Sequence, residues 1–97
     1  MDNRQETRLM YLVGYTREHP EYLEEIRYIL DNYPEELNKQ LTAGWTAIMI
    51  SIIKLEYYST RETIELLLKY NPDLTKHTRY HEYNNIFDCM FCIIDYN

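Results

Sequence analysis

Sliding the chain over itself by 38 positions sets Ile26 over Ile64, Leu30 over Leu68 and Pro34 over Pro72, so that IRYILDNYPEEL lies on IELLLKYNPDLT. The spacing holds downstream: Pro34 to Thr46 is twelve residues, Pro72 to Asn84 is twelve, and TAIM falls on NNIF. Upstream, Thr7, Arg8, Leu9 and Met10 fill the same places at a separation of 39. A fixed internal period constrains a fold more than any local pattern, because each copy is one unit that cannot bury its apolar face alone and must stack on its neighbours. The chain therefore reads as a single domain over 1–97, with two complete units at about 3–40 and 41–78 and a partial third at about 79–97. A chain of 97 residues buries only about two thirds of its unfolded surface, so this stacking must be used fully.

Each unit reads as two helices joined by a loop, which makes the expected fold all-α. In the first, Leu9, Met10, Leu12 and Val13 set an apolar face on a helix from Glu6 to about Tyr15. Pro20 suits the first turn of a second helix running to about Tyr33, where Pro34 marks its end. Leu23, Ile26, Ile29 and Leu30 make a buried stripe there, with Glu21, Glu24, Glu25 and Arg27 on the wet side. In the second unit a helix is expected from Ala47 to about Leu55, and Ser59 with Glu62 forms a capping box opening Arg61 to Tyr70. The isoleucines at 48, 50, 52 and 53 also suit a strand. Register with the helical LMYLV of the first unit favours a helix.

GWTAIMIS, followed at a distance by TIELLLKYNPDL, resembles the ankyrin repeat, whose consensus opens with glycine, one variable residue and Thr-Pro-Leu-His, and continues to a Leu-Leu-Leu helix. Thr46 matches the threonine, Ala47 stands at the proline, Ile48 at the leucine, Met49 at the histidine and Ser51 at the small position. Gln5 replaces the glycine in the first unit and Glu82 in the third, where Asn84 and Asn85 replace Thr-Pro. The unit exceeds the usual repeat of about 33 residues because YTREHPEYL and LEYYSTRE lengthen the connections between helices. Enrichment in isoleucine, tyrosine and asparagine, with only two alanines, is similar to ankyrin proteins of large DNA viruses with AT-rich genomes. The resemblance implies a short helical solenoid of about two and a half repeats. It also implies a non-enzymatic module that binds or inhibits another protein through loop tips and the first helices. Carried over by position, the variable tip residues are Glu6, Trp45 and Tyr83, and the exposed first-helix positions include Tyr15, Ile53 and Phe91. Trp45 and Tyr83 share one register, and two readings stand for them: aromatic binding anchors, or rings packed across the adjacent loop.

Composition narrows the function classes. Hydrophobic residues at 45% and eleven tyrosines require a folded chain. No apolar run approaches the roughly 18 residues of a membrane span, and MDNRQETR is too polar for a signal peptide, so the expected location is the cytoplasm, the host's if the chain is viral. Ten basic against sixteen acidic residues give a net charge of −6, which disfavours phosphate backbones and anionic membranes as partners and makes a basic protein patch the better expectation. An alternative function follows from the same charge: a nucleic-acid mimic that fills the basic groove of another protein with its carboxylates.

His77, His81, Cys89 and Cys92 have zinc-ligand identities and spacings, giving a third reading, a zinc-stabilised small domain. Their order is inverted, histidines before cysteines, and Cys89 falls at the small core position of the repeat, so no metal and no other cofactor is expected. No glycine-rich phosphate loop or nucleophile elbow is present, and CMFC lacks a redox context. IFDCMFCII is apolar on every helical face and lacks a second helix to cover it. A homodimer through this C-terminal helix, an intramolecular cap and a longer array are the three ways to bury it.

Overall fold

A computed structural model describes residues 6 to 78, which form four α-helices and one 3-10 helix, with no strand among the described residues. The helices are α1 (Arg8–Val13), α2 (Tyr22–Asn32), α3 (Ala47–Ile53) and α4 (Arg61–Leu68), and the 3-10 helix, Pro34–Asn38, lies between α2 and α3. IMISII is thus helical, and its start shows why. Thr46 is extended and its hydroxyl accepts from the N–H of Met49 at 3.4 Å, while Thr7 caps α1 through Met10 at 3.2 Å. The 39-residue separation in the sequence is therefore a repeated N-cap. Each such cap is worth about 1 kcal/mol, enough to oppose the strand preference of a few β-branched residues.

Packing runs along the stack. α1 packs on α2 and on α3, and α3 packs on α4. Leu9, Met10, Leu12 and Val13 meet Ile26 and Leu30 of α2, Ala47, Ile48, Met49 and Ile52 of α3, and Leu66 and Leu67 of α4 in one buried cluster. Leu37 of the 3-10 helix and Leu41 of the loop after it complete this core. α3 lies at its centre, which is why apolar residues cover most of that helix rather than one stripe.

Several expectations need correction. α2 begins at Tyr22, and Pro20 stands ahead of it in a turn whose carbonyl accepts from the N–H of Leu23 at 3.1 Å. Pro34 opens the 3-10 helix rather than simply ending α2, since its fixed φ and missing N–H suit a first helical turn, and this turn buries Leu37. Of the expected α2 stripe, Ile26 and Leu30 are buried while Leu23 and Ile29 are half-buried. The cap of α4 is Thr60, whose hydroxyl accepts from the N–H of Thr63 at 3.3 Å, and not Ser59. Ser59 is fully buried and donates to the carbonyl of Val13 at 2.7 Å, one of the carbonyls that α1 leaves without a helical partner. Leu68, matched to buried Leu30 by the 38-residue spacing, is 45% exposed, and Leu67 points inward instead. Thr63 is drawn into the interior by hydroxyl contacts, and its i+4 neighbour Leu67 shares its face. α4 ends at Leu68, and Asn71, at φ 57, turns the chain away before Pro72. The third unit at about 79–97, with its proposed dimer helix, lies outside the described residues.

Candidate protein-binding surface

The chain after α1 and the connection from α3 to α4 lie side by side and are bonded together. The N–H of Arg17 donates to the carbonyl of Tyr58 at 3.1 Å, and its guanidinium to the carbonyl of Leu55 at 2.6 Å. Beneath them, Thr16 Oγ1 lies 2.6 Å from Thr63 Oγ1, 3.3 Å from Ser59 Oγ and 3.4 Å from Thr60 Oγ1. Thr16, Ser59 and Thr63 are buried, so this small hydroxyl cluster exchanges its water partners for one another. No buried side-chain nitrogen or oxygen lacks a partner among the described residues.

On this base stands a row of aromatic rings. Tyr22 lies 6.3 Å from Tyr11, Tyr11 is 5.1 Å from Tyr15, Tyr15 is 6.1 Å from Tyr58, and Tyr58 is 6.3 Å from Tyr57, centroid to centroid. His19 stacks on Tyr22 at 4.7 Å. Tyr11 and Tyr15 are one helical turn apart, and the lengthened connections bring Tyr57 and Tyr58 alongside. Four of these rings, Tyr11, Tyr15, Tyr57 and Tyr58, are exposed large hydrophobics.

Two cations flank the row. Arg8 sits 5.8 Å from the Tyr11 centroid and 6.0 Å from that of Tyr22, and its guanidinium grips both oxygens of Glu25 at 2.7 and 3.0 Å. That hydrogen bond raises the Arg8 pKa and holds the Glu25 carboxyl below its ordinary range. Burial beside Tyr11 pushes the Tyr22 phenol up. Nearer the middle of the row, the Lys54 ammonium lies 4.9 Å from the Tyr15 centroid and 5.3 Å from that of Tyr58. Phenol rings beside cations offer large apolar faces and hydroxyls that donate and accept, the features of a candidate binding surface.

The tip loops lie at the N-terminal ends of the first helices. Between the 3-10 helix and α3, the N–H of Leu41 donates to the carbonyl of Trp45 at 2.9 Å and that of Gly44 to Leu41 at 2.7 Å. Gln40 Nε2 bridges the carbonyls of Gly44 and His77 at 2.8 and 3.1 Å. Gly44 is at φ +99, and a Cβ there would stand 2.5 Å from the His77 carbonyl oxygen.

The residues carried over from the family resemblance fall as follows. Glu6 is exposed, and Tyr15 is exposed at the centre of the tyrosine row. Trp45 is half-buried against the core. Ile53, expected at an exposed position, is half-buried against the same core, because the shortened α3 ends with its last turn tucked in. Tyr83 and Phe91 lie outside the described residues, as do His81, Cys89 and Cys92, while His77 is exposed. Tyr11, Tyr57, Tyr58 and Lys54 were missed by the sequence reading. Their signal was the abundance of tyrosine in and beside the two lengthened connections.

These features define a small all-helical domain carrying an exposed aromatic surface, and no described helix is long and apolar enough to cross a membrane. Over 92 residues, 94% of its length, the chain is 32% identical to "Putative ankyrin repeat protein L122" of Acanthamoeba polyphaga mimivirus. The resemblance read from GWTAIMIS and TIELLLKYNPDL thus holds along nearly the whole chain, which is a distant relative of an ankyrin-repeat protein from a large DNA virus. The chain spans 14% of that relative's length. No protein-family model and no solved structure matches it.

Proposed function

We propose that the chain is a non-enzymatic protein-interaction module built as a short ankyrin-type solenoid, with units at about 3–40, 41–78 and 79–97, acting in the cytoplasm where it binds or inhibits another protein. The observation that carries this reading is the continuous row from Tyr22 to Tyr57, with four exposed rings beside fixed cations. Exposed tyrosines of limited side-chain freedom are favoured binding anchors. The similarity to an ankyrin-repeat protein supports the same class. Glu6 and Trp45 at the tips, half-buried Ile53 next to Lys54, and Tyr83 and Phe91 are further contact residues in this reading.

Affinity capture from host-cell lysate, followed by mass spectrometry, tests it. Replacing Tyr15 and Tyr58 together by serine should abolish recovery of the partner while leaving helicity and melting nearly unchanged, a loss of about 2 to 4 kcal/mol in binding. Undiminished recovery with the folded double variant would refute the tyrosine row as the binding surface. Trp45→Ala should lower the melting temperature more than it lowers recovery, in keeping with its contact with the core.

A further inference from the structure

Lys54 differs from four of the eight lysines and arginines in the described residues. Arg8, Arg27, Lys39 and Lys76 each sit beside a carboxylate: Glu25, Glu24, Glu36 and Asp73. No described carboxylate lies within ion-pair range of Lys54. Its stem is not free in water either, because its Cδ lies 3.0 Å from the place a Cβ on Gly14 would occupy, and the residue is half-buried. The ammonium is held against the faces of Tyr15 and Tyr58, which attract it without accepting its three N–H bonds as an oxygen would. Arg17 is fixed next to it on the same connection by Leu55 and Tyr58, and it too has no carboxylate partner among the described residues. Two anchored cations without carboxylates, on a chain of net charge −6, call for an anion from outside.

We propose that Lys54, between Tyr15 and Tyr58 of the tyrosine row, receives the carboxylate of an extended, acidic segment of the partner protein, whose alternate side chains lie along the rings. This rests on the protein-binding reading above. The ring-to-ring steps of 5.1 to 6.3 Å are close to the roughly 6.6 Å between alternate side chains of an extended peptide. Charge favours a peptide over a single-stranded nucleic acid. Glu18, Glu21 and Glu56 are exposed on the two connections, so a phosphate at every step would meet repulsion where one or two carboxylates would not.

The experiment selects random dodecapeptides displayed on phage against the folded 97-residue chain. Recovered peptides are synthesised and their affinities measured by fluorescence anisotropy for wild type, Lys54→Gln and Lys54→Arg. Recovered sequences should be enriched in Asp and Glu. Their affinity should fall about tenfold with Lys54→Gln, be largely kept by Lys54→Arg, and weaken as salt rises. Uncharged or basic sequences, equal binding to a folded Lys54→Gln variant, or displacement by a twelve-residue oligothymidylate would overturn the proposal. If the recovered peptides lack acids yet are lost with Tyr15→Ser and Tyr58→Ser, the binding surface stands and only the carboxylate falls. If no peptide is retained, or retention ignores the tyrosines, both readings fall.

Discussion

The chain has two glycines, and they sit at opposite ends of the first helices in surroundings that demand different things of them. Gly14 caps α1 beside the connection edge, in ordinary right-handed backbone at φ −82, and the nearest atom to a Cβ there would be on the flexible Lys54 side chain at 3.0 Å, with the Tyr11 carbonyl oxygen at 3.5 Å. Gly44 lies at the tip edge at φ +99, with the backbone of His77 and Thr78 filling the place of its Cβ. The connection edge is joined chiefly by side chains, the hydroxyls of Thr16, Ser59, Thr60 and Thr63, with one backbone bond from Arg17 to Tyr58, whereas the tip edge is joined by close backbones bridged through Gln40. A side-chain joint can adjust by rotating a bond, and a backbone joint cannot.

That contrast is easiest to break at the glycines themselves. Gly44→Ala should destabilise the chain by about 2 to 4 kcal/mol, since it adds both a strained φ and a backbone clash. Gly14→Ala should change stability by less than about 1 kcal/mol, and urea unfolding of the two variants compares them directly. Equal losses would mean that the two edges are equally rigid.

Next in size is the hydroxyl cluster. Thr16→Val keeps the shape of the side chain but strips Thr63 and Ser59 of a buried partner, at a cost of about 1 to 3 kcal/mol measured as a drop in thermal midpoint. A midpoint matching wild type would show that the cluster contributes nothing to joining the helix pairs. Gln40→Ala at the tip edge removes two more exposed amide bonds and should cost about 1 kcal/mol, with amide exchange quickening around Gly44.

The smallest effect separates the edges by pH. Glu25, held by Arg8 under the tyrosine row, and Asp73, which accepts from the backbone and side chain of Thr75 beyond α4, both have lowered pKa values. A carboxyl with a depressed folded pKa adds stability above its unfolded value and loses it as pH falls through the folded one. Stability should therefore decline below about pH 4.5, the unperturbed value for Glu25, and Glu25→Gln should flatten the first part of that decline. A pH profile unchanged by Glu25→Gln would remove the Arg8 pair from the stability of this edge.

Local pattern was enough for some of this and not for the rest. The 39-residue recurrence of Thr7 and Thr46 holds two helix starts, because a cap is a bond between residues three apart, although the sequence alone placed the first start at Glu6 and the structure moves it to Arg8. The buried positions of α1 and α3 were legible for a similar reason, since helical periodicity is a property of neighbouring residues. Ser59 and Thr60 were not separable in this way. Both can cap a helix, and the choice was made by the carbonyl of Val13, 46 residues away in sequence, which took the Ser59 hydroxyl. The same distant hydroxyl contacts turned α4 so that Leu67, not Leu68, faces the core.

The sequence by itself determined the all-helical class of the described residues, the repeated threonine at the two helix starts and the resemblance to ankyrin-repeat proteins, because those reside in residue identities at short and fixed spacings. Only the tertiary structure decided which tyrosines stand together. Tyr15 and Tyr58 are 43 residues apart in the chain, and no periodic rule joins them. Two lengthened connections bonded edge to edge bring them within 6.1 Å and set Lys54 against both rings. A surface made from several segments exists only after those segments have packed, which is why these candidate residues had to be found in three dimensions.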